Sequence, residues 1–454
     1  MRVINAFRGT QLTARILRST SWVIVGFGGS QAIRLGSNLI LTRILFPEAF
    51  GLMALVTMVN VGLMMFSDVG LGPSVARSQR GDEPEFLDTA WTVQVIRGIG
   101  LWAVTLVLAS PMAALYDEPD LALYLPVAGL SLIATGLLPM RVLTARRHLL
   151  IGRMTVLDLT GQLIGLGAMV ALALATRSVF ALVVGGVITN VVTLILMSAF
   201  LSGHRNRFRM EPAALHELIH FGKWIFLSTA CTFVSTQGDK AVLGKMLTLE
   251  ALGIYNIGYF LAYFPMQIGL SLANFLLIPI FRERPPGESA ANREKLRKMR
   301  FLLSAGMCGL LAVMALAGPP IVAFLYDDRY LDAGAIMVVL ACGFVPQAIG
   351  ISYSRAALAA GDSRGNFVVS GTRAVLQMTL LIAGLQTFGL IGGLASIGVT
   401  MLVVHPILIR LARRHAAWDP LHDAVFFAAG GSLAAVAIWL HWAEIAELAT
   451  IPMR

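Results

Sequence analysis

The sequence predicts an all-α polytopic membrane protein: two six-helix lobes in a parallel pseudo-two-fold repeat around a central cavity, plus about one extra C-terminal helix. Three observations carry this reading. Of the 454 residues, 57% are hydrophobic and only 13% charged, more apolar residue than a water-soluble fold can bury. Lys and Arg are strongly biased to one side of the predicted spans. A ten-residue stretch also occurs twice, 202 residues apart. Its copies are Arg43-Ile44-Leu45-Phe46-Pro47-Glu48-Ala49-Phe50-Gly51-Leu52 and Lys245-Met246-Leu247-Thr248-Leu249-Glu250-Ala251-Leu252-Gly253-Ile254.

Residues 1–20 place Arg2, Arg8, Arg15 and Arg18 among apolar residues such as Ile4, Phe7 and Leu12, the pattern of a basic amphipathic segment on the cytoplasmic face. The apolar run that follows exceeds a signal-peptide core and shows no cleavage pattern, so no processing is expected. Spans of roughly 20 apolar residues follow at 21–44, 50–69, 90–115, 121–143, 155–176 and 178–201, making an N-lobe of 21–201. A basic linker, 202–221, leads to spans at 222–246, 252–281, 301–326, 333–358, 366–388 and 390–410, a C-lobe of 222–412. Residues 413–454 supply a thirteenth helix, 423–442, and a tail. With the N-terminus inside, cytoplasmic segments hold 25 of the 35 basic residues; the other side holds Arg43, Arg177, Lys245, Arg329 and Arg454. The outer loops are short and partly acidic, as in Asp117-Glu118-Pro119-Asp120 and Asp327-Asp328.

Both lobes therefore start inside, so the repeat is parallel, a common build for secondary transporters. In each copy of the repeated stretch a Glu opens the next helix, at the positive end of its dipole. The Gly three residues later lets helices approach closely in lipid.

Charge at membrane depth costs about 2.5–3.5 kcal/mol on insertion scales, so it calls for a functional hypothesis. The first span carries Gln31, Arg34, Asn38 and Thr42 on one face, with Arg34 near mid-membrane. The seventh carries Ser228, Thr232, Ser235 and Asp239 beside Lys240; the eleventh carries Asn366, Ser370, Arg373 and Gln377. The eighth spaces Tyr255, Tyr259, Tyr263 and Gln267 every four residues. Arg97, Asp158, Arg355 and Asp68 fall in the cytoplasmic halves of their spans. Arginines outnumber acids, and a guanidinium fork suits phosphate, so a wet cavity for an anionic cargo is expected. The tyrosines would suit sugar rings, though such stripes also pack against neighbouring helices. Arg97 and Arg355 read equally well as snorkelling residues, and Asp239, Lys240 and Asp158 are candidates for ion coupling. The basic run 282–300 reads as a solvated topology signal.

Other classes fit less well. A net charge of +10 and a pI near 9.9 would suggest nucleic acid in a soluble chain, but basic loops here report topology. No phosphate-binding GxxxxGK[ST] loop is present, so no ATP site is assigned. Cys231, Cys308 and Cys342 lie in apolar segments with no disulfide or metal spacing. His204, His216 and His220 lack Cys or carboxylates at ligand spacing and read as interfacial. No catalytic residue, metal or cofactor is assigned.

The run Leu41 to Leu52, followed by Ser67-Asp68-Val69-Gly70-Leu71-Gly72, resembles the opening of bacterial oligosaccharide flippases, polysaccharide-export transporters of the O-antigen and exopolysaccharide kind. The run Asp239-Lys240-Ala241-Val242-Leu243-Gly244, leading into Leu252-Gly253-Ile254-Tyr255, is similar to that family's mid-chain motif. Helix count and charge placement extend the likeness over about residues 20–410. The resemblance implies two six-helix lobes working by alternating access in the bacterial inner membrane. It implies passage of polyprenyl-pyrophosphate-linked oligosaccharide units to the periplasmic leaflet, and proton or sodium coupling as in some relatives. It implies pyrophosphate-binding roles for cavity arginines, carried here to Arg34, Arg97, Arg355 and Arg373, with Asn38, Gln377, Tyr255, Tyr259 and Tyr263 as further cavity residues. The expected partners are the lipid-linked glycan and the bilayer, with a polysaccharide polymerase and export machinery as candidate protein partners. A thirteenth helix departs from the even counts common in that family. The alternative is a multidrug and toxin cation antiporter of the same superfamily, which would need acidic cavity residues. A membrane polymerase or ligase would need a long outer loop, and a non-transporting scaffold leaves Arg34 unexplained.

Overall fold

The computed structural model describes residues 12–454 apart from Val69. Every regular element among them is helical, with one isolated antiparallel bridge between Leu247 and Met453. The chain divides into two compact units, Met1–Ala230 and Cys231–Arg454.

In the first unit α1 (Leu12–Ile44) runs without a break. No Gly or Pro interrupts residues 12–25, so the described part of the basic segment forms the opening turns of the first long helix rather than a separate element. Then come α2 (Pro47–Phe66), α3 (Leu71–Arg77) and α4 (Pro84–Tyr116). The expected single span at 121–143 is broken: α5 (Leu121–Gly136) and α6 (Arg141–Arg147) meet at 58°. Pro139 lies in the break and has no amide hydrogen with which to continue a helical ladder. The helices α7 (Ile151–Thr176) and α8 (Phe180–Phe200) pair closely. Small residues set the crossings: a Cβ on Gly98 would stand 2.8 Å from the Leu132 carbonyl oxygen, so α4 and α5 meet backbone to backbone.

The stretch expected as the inter-lobe linker is bound to the start of α4. The backbone N–H groups of Arg207, Arg209 and Glu211 donate to Asp88 Oδ1, Thr92 Oγ1 and Thr89 Oγ1, each at 3.0 Å. His204 Nε2 lies 2.7 Å from Asp88 Oδ1. Ala214 and Leu218, at the start of α9 (Pro212–Met246), join the core formed by Leu71, Val75, Phe86 and Met140. The division between units accordingly falls inside α9.

The second unit holds the rest of α9, then α10 (Leu249–Leu272), a π-turn (Ala273–Leu277), α11 (Ile278–Glu283), α12 (Ala290–Leu316) and α13 (Gly318–Leu325). Its centre is α14 (Asp332–Ala359), which packs against α10, α12, α13, α15 (Ser363–Arg414) and α16 (Pro420–Leu440). A short α17 (Trp442–Glu447) follows. The 52-residue α15 is a hairpin, with Phe388 (φ −128°) and Gly389 (φ +59°) departing from helical geometry. A Cβ on Gly392 would stand 2.1 Å from the Gly384 carbonyl oxygen, so the two arms double back in contact. This matches the boundary expected between spans 366–388 and 390–410.

The two copies of the repeated stretch adopt the same local structure. Leu45 and Leu247 are both 1% exposed. Phe46 (φ −80°, ψ 157°) and Thr248 (φ −65°, ψ 158°) cap the next helices in extended geometry, and Glu48 and Glu250 occupy the first turns.

The thirteenth helix, α16, is built into the second unit through a buried polar cluster. Asp423 accepts from Tyr353 Oη (2.6 Å) and Trp418 Nε1 (3.0 Å), with His405 Nε2 at 3.1 Å and His422 Nδ1 at 3.2 Å. Arg300 stacks on the Tyr353 ring at 4.7 Å and is buried. The reading of 282–300 as wholly solvated is corrected here: α12 begins at Ala290, and its helical period turns Arg300 inward. The tail returns to the turn before α10, where Arg454 N–H donates to the Met246 carbonyl. Among the described residues, eight helices are long and apolar enough to cross a membrane, α15 being one of them, and the bent α5–α6 pair makes a ninth candidate. The chain is a multi-pass membrane protein.

Candidate functional site

In the second unit the predicted residues converge. The four-residue spacing puts Tyr255, Tyr259 and Tyr263 on one face of α10, with ring centroids 5.8 Å and 5.4 Å apart; Tyr259 and Tyr263 are stacked. Phe344 of α14 closes the ladder edge-on, 5.8 Å from Tyr259 and 5.3 Å from Tyr263. At one end Tyr255, fully buried, donates its hydroxyl to Asp239 Oδ2. Lys240 Nζ lies 5.6 Å from the Tyr259 ring centroid. At the other end Arg373 and Arg355 both come within electrostatic range of Tyr263. Arg373 donates to Gln347 Oε1 at 3.3 Å. Gln377, one turn further along α15, is buried.

The two arginines are incompletely used. The Nε atoms of Arg355 and Arg373 are buried and have no hydrogen-bond partner among the described residues. A buried donor left unpaired costs about 1–3 kcal/mol, so the site holds two cations with hydrogen bonds still to make. Beside stacked phenols, that arrangement can take a phosphate on the guanidinium forks and a sugar face on the rings.

In the first unit the predicted residues separate. Arg97 is half-buried and donates from Nε to Ser67 Oγ (2.9 Å) and from a terminal nitrogen to the Met64 carbonyl (2.7 Å). It caps the C-terminal end of α2, where a cation also suits the helix dipole. Arg97 still borders a cavity of about 190 Å³ that includes Gln94 and Arg146. Asp158 accepts from Gln162 Nε2 at 2.8 Å, and the same amide reaches Ser30 Oγ at 2.9 Å. Asp158, Ser30 and Arg146 border a second cavity, about 550 Å³. On α1 the expected stripe passes through different surroundings. Arg34 is exposed and Asn38 half-buried, while Gln31 and Thr42 are buried, Thr42 donating to the Asn38 carbonyl. The Ser228 side chain of the seventh-span stripe lies outside the described residues, and Thr232 is exposed.

Sequence reasoning missed Phe344 and Gln347, although a glutamine inside an apolar span carries the same signal as Asn38. It also missed Arg146, which was counted only as a topology charge. Among the described residues no group of three or more His, Cys, Asp or Glu could hold a metal ion.

A family described as "Polysaccharide biosynthesis protein" matches residues 40–335. The succinoglycan biosynthesis transport protein ExoT of Rhizobium meliloti (strain 1021) is 25% identical over 340 residues, 72% of this chain and 65% of that protein. The teichuronic acid biosynthesis protein TuaB of Bacillus subtilis (strain 168) is 19% identical over 60% of this chain and 56% of its own length. The match to both thus spans less than two thirds of each relative. The lipopolysaccharide biosynthesis protein WzxC of Escherichia coli (strain K12) is 20% identical over 82% of this chain and 74% of its own length. Among solved structures, the lipid II flippase MurJ in an inward closed conformation aligns with a TM-score of 0.64 at 12% identity, covering 95% of this chain and 98% of that one. An inward-facing multidrug resistance MATE family transporter of the MOP superfamily aligns at 0.61 and 14% identity, covering 88% and 94%. At such identities these two show the shared fold.

Proposed function

Because this chain belongs to the polysaccharide biosynthesis protein family, we propose that it is a flippase rather than an enzyme. It moves polyprenyl-pyrophosphate-linked oligosaccharide units across the bacterial inner membrane by alternating access, for exopolysaccharide, capsule or O-antigen assembly. The observation that carries this reading is the pair of buried, unpaired Nε donors on Arg355 and Arg373 beside the stacked face of Tyr259 and Tyr263. The guanidiniums take the pyrophosphate and the rings take the sugar nearest to it. Within the first unit, Asn38 and the exposed Arg34 are assigned to cargo contact, with Arg97 holding the end of α2. The N-terminus is cytoplasmic, as the basic residues require, and the lipid-linked glycan is the ligand. A polysaccharide polymerase and export proteins are the protein partners of this reading.

Asp239, tied to Tyr255, and Lys240, over Tyr259, link the seventh span to the binding wall; coupling to a proton or sodium ion is assigned to Asp239, with Asp158 as the second candidate. The rival cation antiporter would draw its substrate with carboxylates, and here Asp158 and Asp239 already bind Gln162 and Tyr255.

The test is complementation of a flippase-deleted, polysaccharide-producing strain, using the gene cluster whose glycan this chain serves. Wild type should restore surface polysaccharide. Arg373→Ala and Arg355→Ala, inserted at normal levels, should lose it, and Arg373→Lys should recover little because an ammonium cannot reproduce the fork. Full rescue by Arg373→Ala together with Arg355→Ala would overturn the site. Restored growth on cationic dyes, without polysaccharide, would favour the antiporter.

A further inference from the structure

Away from the tyrosine wall, the open ends of the α15 hairpin (Ser363–Arg414) part around a cleft of about 450 Å³. Its rim carries Arg364, Arg410 and Arg414, all exposed, and its floor includes Val368, Ile407 and Leu411. The one carboxylate at the rim, Asp362, is already committed. Its Oδ1 accepts from the Gly365 N–H at 2.7 Å, and its Oδ2 lies 2.9 Å from His415 Nε2. The Gly365 amide first, then His415, holds this carboxyl below its usual range. Arg413 is turned aside, over the Trp418 ring at 3.9 Å. The rim thus keeps an excess of three guanidiniums.

Below the rim the apolar surface continues. On the first arm Val368, Val375 and Ile382 recur every seven residues and are all exposed; on the second arm Val399, Leu402 and Val403 are exposed. Gly365 meets Leu411 and Gly384 meets Gly392 across the hairpin, so the two arms run side by side and their exposed apolar residues continue from the arginine rim toward the Phe388-Gly389 turn. Cations above an apolar strip as long as a helix complement an anionic head above acyl chains.

We propose that this cleft is a binding site for one anionic phospholipid of the cytoplasmic leaflet, its phosphate on Arg364, Arg410 and Arg414 and its chains along the hairpin. The choice of leaflet rests on the orientation given above; binding itself does not. The site is separate from the proposed glycan path, and its occupant is retained rather than moved.

The experiment is native mass spectrometry of the purified full chain in phosphatidylcholine nanodiscs into which phosphatidylglycerol is titrated. Wild type should retain phosphatidylglycerol in preference to phosphatidylcholine. The combined variant Arg364→Ala, Arg410→Ala, Arg414→Ala should bind it on the order of a hundredfold more weakly. The single Arg410→Gln variant, at an exposed position that folding tolerates, should show a several-fold loss. A control triple of Arg282→Ala, Arg284→Ala and Arg293→Ala, exposed basic residues elsewhere, should retain wild-type binding. Equal retention by the Arg410 and rim variants, or equal loss in the control, would overturn the proposal. Complete displacement of the lipid by inorganic phosphate would also overturn it, by showing a site for a free anion. Because no transport is measured, failure here leaves the glycan path standing, and failure of the path leaves this site standing.

Discussion

Replacing Asp423 by alanine should unseat α16 (Pro420–Leu440) from the second unit. The carboxylate is 7% exposed and serves four donors: Tyr353, Trp418, His405 and His422. Two of these have little alternative. Tyr353 is fully buried and otherwise reaches only the Asp419 carbonyl, at 3.3 Å; His405 is 6% exposed. His422 keeps Ser304 Oγ at 2.8 Å, and the indole of Trp418 is only partly buried. Two orphaned donors at about 1–3 kcal/mol each, together with Arg300 losing one of its two nearby carboxylates, give roughly 3–5 kcal/mol, the range for breaking a buried charged pair. For a unit of this size that corresponds to roughly 6–20 °C in melting temperature. Asp423→Asn should cost only about 1 kcal/mol: its oxygen still accepts from Tyr353 and His405 can change tautomer, so only the Trp418 bond is lost. The assay is thermal unfolding of detergent-purified protein followed by size-exclusion fluorescence. If Asp423→Ala melted within about 2 °C of wild type, the cluster would not be what anchors this helix.

Three further outcomes follow from the same geometry. Gly392→Ala should abolish accumulation of folded protein, since its Cβ would lie 2.1 Å from a backbone oxygen, whereas Gly100→Ala, with nothing within 4 Å, should accumulate normally; immunoblots of membrane fractions decide this. Arg97→Ala should lower the melting temperature by releasing the α2 end, while Arg373→Ala should leave it unchanged or raise it by removing a buried unpaired donor; unfolding and transport measured together on both variants would separate the roles. The pair between Arg80 and Glu211, 2.8 Å, depresses the Glu211 carboxyl chiefly through that hydrogen bond. A depressed folded-state pKa stabilises above the unfolded value and is lost as pH falls through the folded one. The melting difference between wild type and Glu211→Gln should therefore be full at neutral pH, begin to shrink as pH falls through about 4, and vanish only below the depressed folded-state value.

What the sequence made legible follows the range of each signal. The helices and their hairpin break were readable because apolar runs are local and their length limits a span. The tyrosine ladder was readable because four-residue spacing fixes one helix face whatever surrounds it. The cluster around Asp423 was not. Its members stand at Arg300, Tyr353, His405, Trp418 and His422, each of which alone looks like a topology charge, a packing ring or an interfacial residue. The linker's contacts were not readable for a related reason: its backbone N–H groups bind Asp88, Thr89 and Thr92, and backbone donors leave no mark in composition.

Buried arginine is where sequence and structure complement each other most closely. In sequence Arg34 and Arg373 read as costly mid-membrane charges inviting a ligand, Arg97 and Arg355 equally as snorkelling residues, and Arg141 and Arg147 as topology charges. The structure divides them by what lies within reach of the fork. Arg97 donates to the Met64 carbonyl, Arg141 to the Ser198 and Leu201 carbonyls at 2.6 Å, and Arg147 to those of Val75 and Ser78. Each of these acceptors is at or beside the C-terminal end of a helix, where carbonyls lack intrahelical partners and the dipole is negative. Such an arginine repairs a helix end, and its charge is matched without a cargo. Arg373 lies in the middle of the first α15 arm, whereas Arg355 lies in the last turns of α14 (Asp332–Ala359). Arg373 finds one glutamine oxygen and Arg355 finds none among the described residues, even though a helix end is close to it. What the fork actually reaches, rather than its place along a helix, thus separates the arginines that hold this fold from those left to hold an anion.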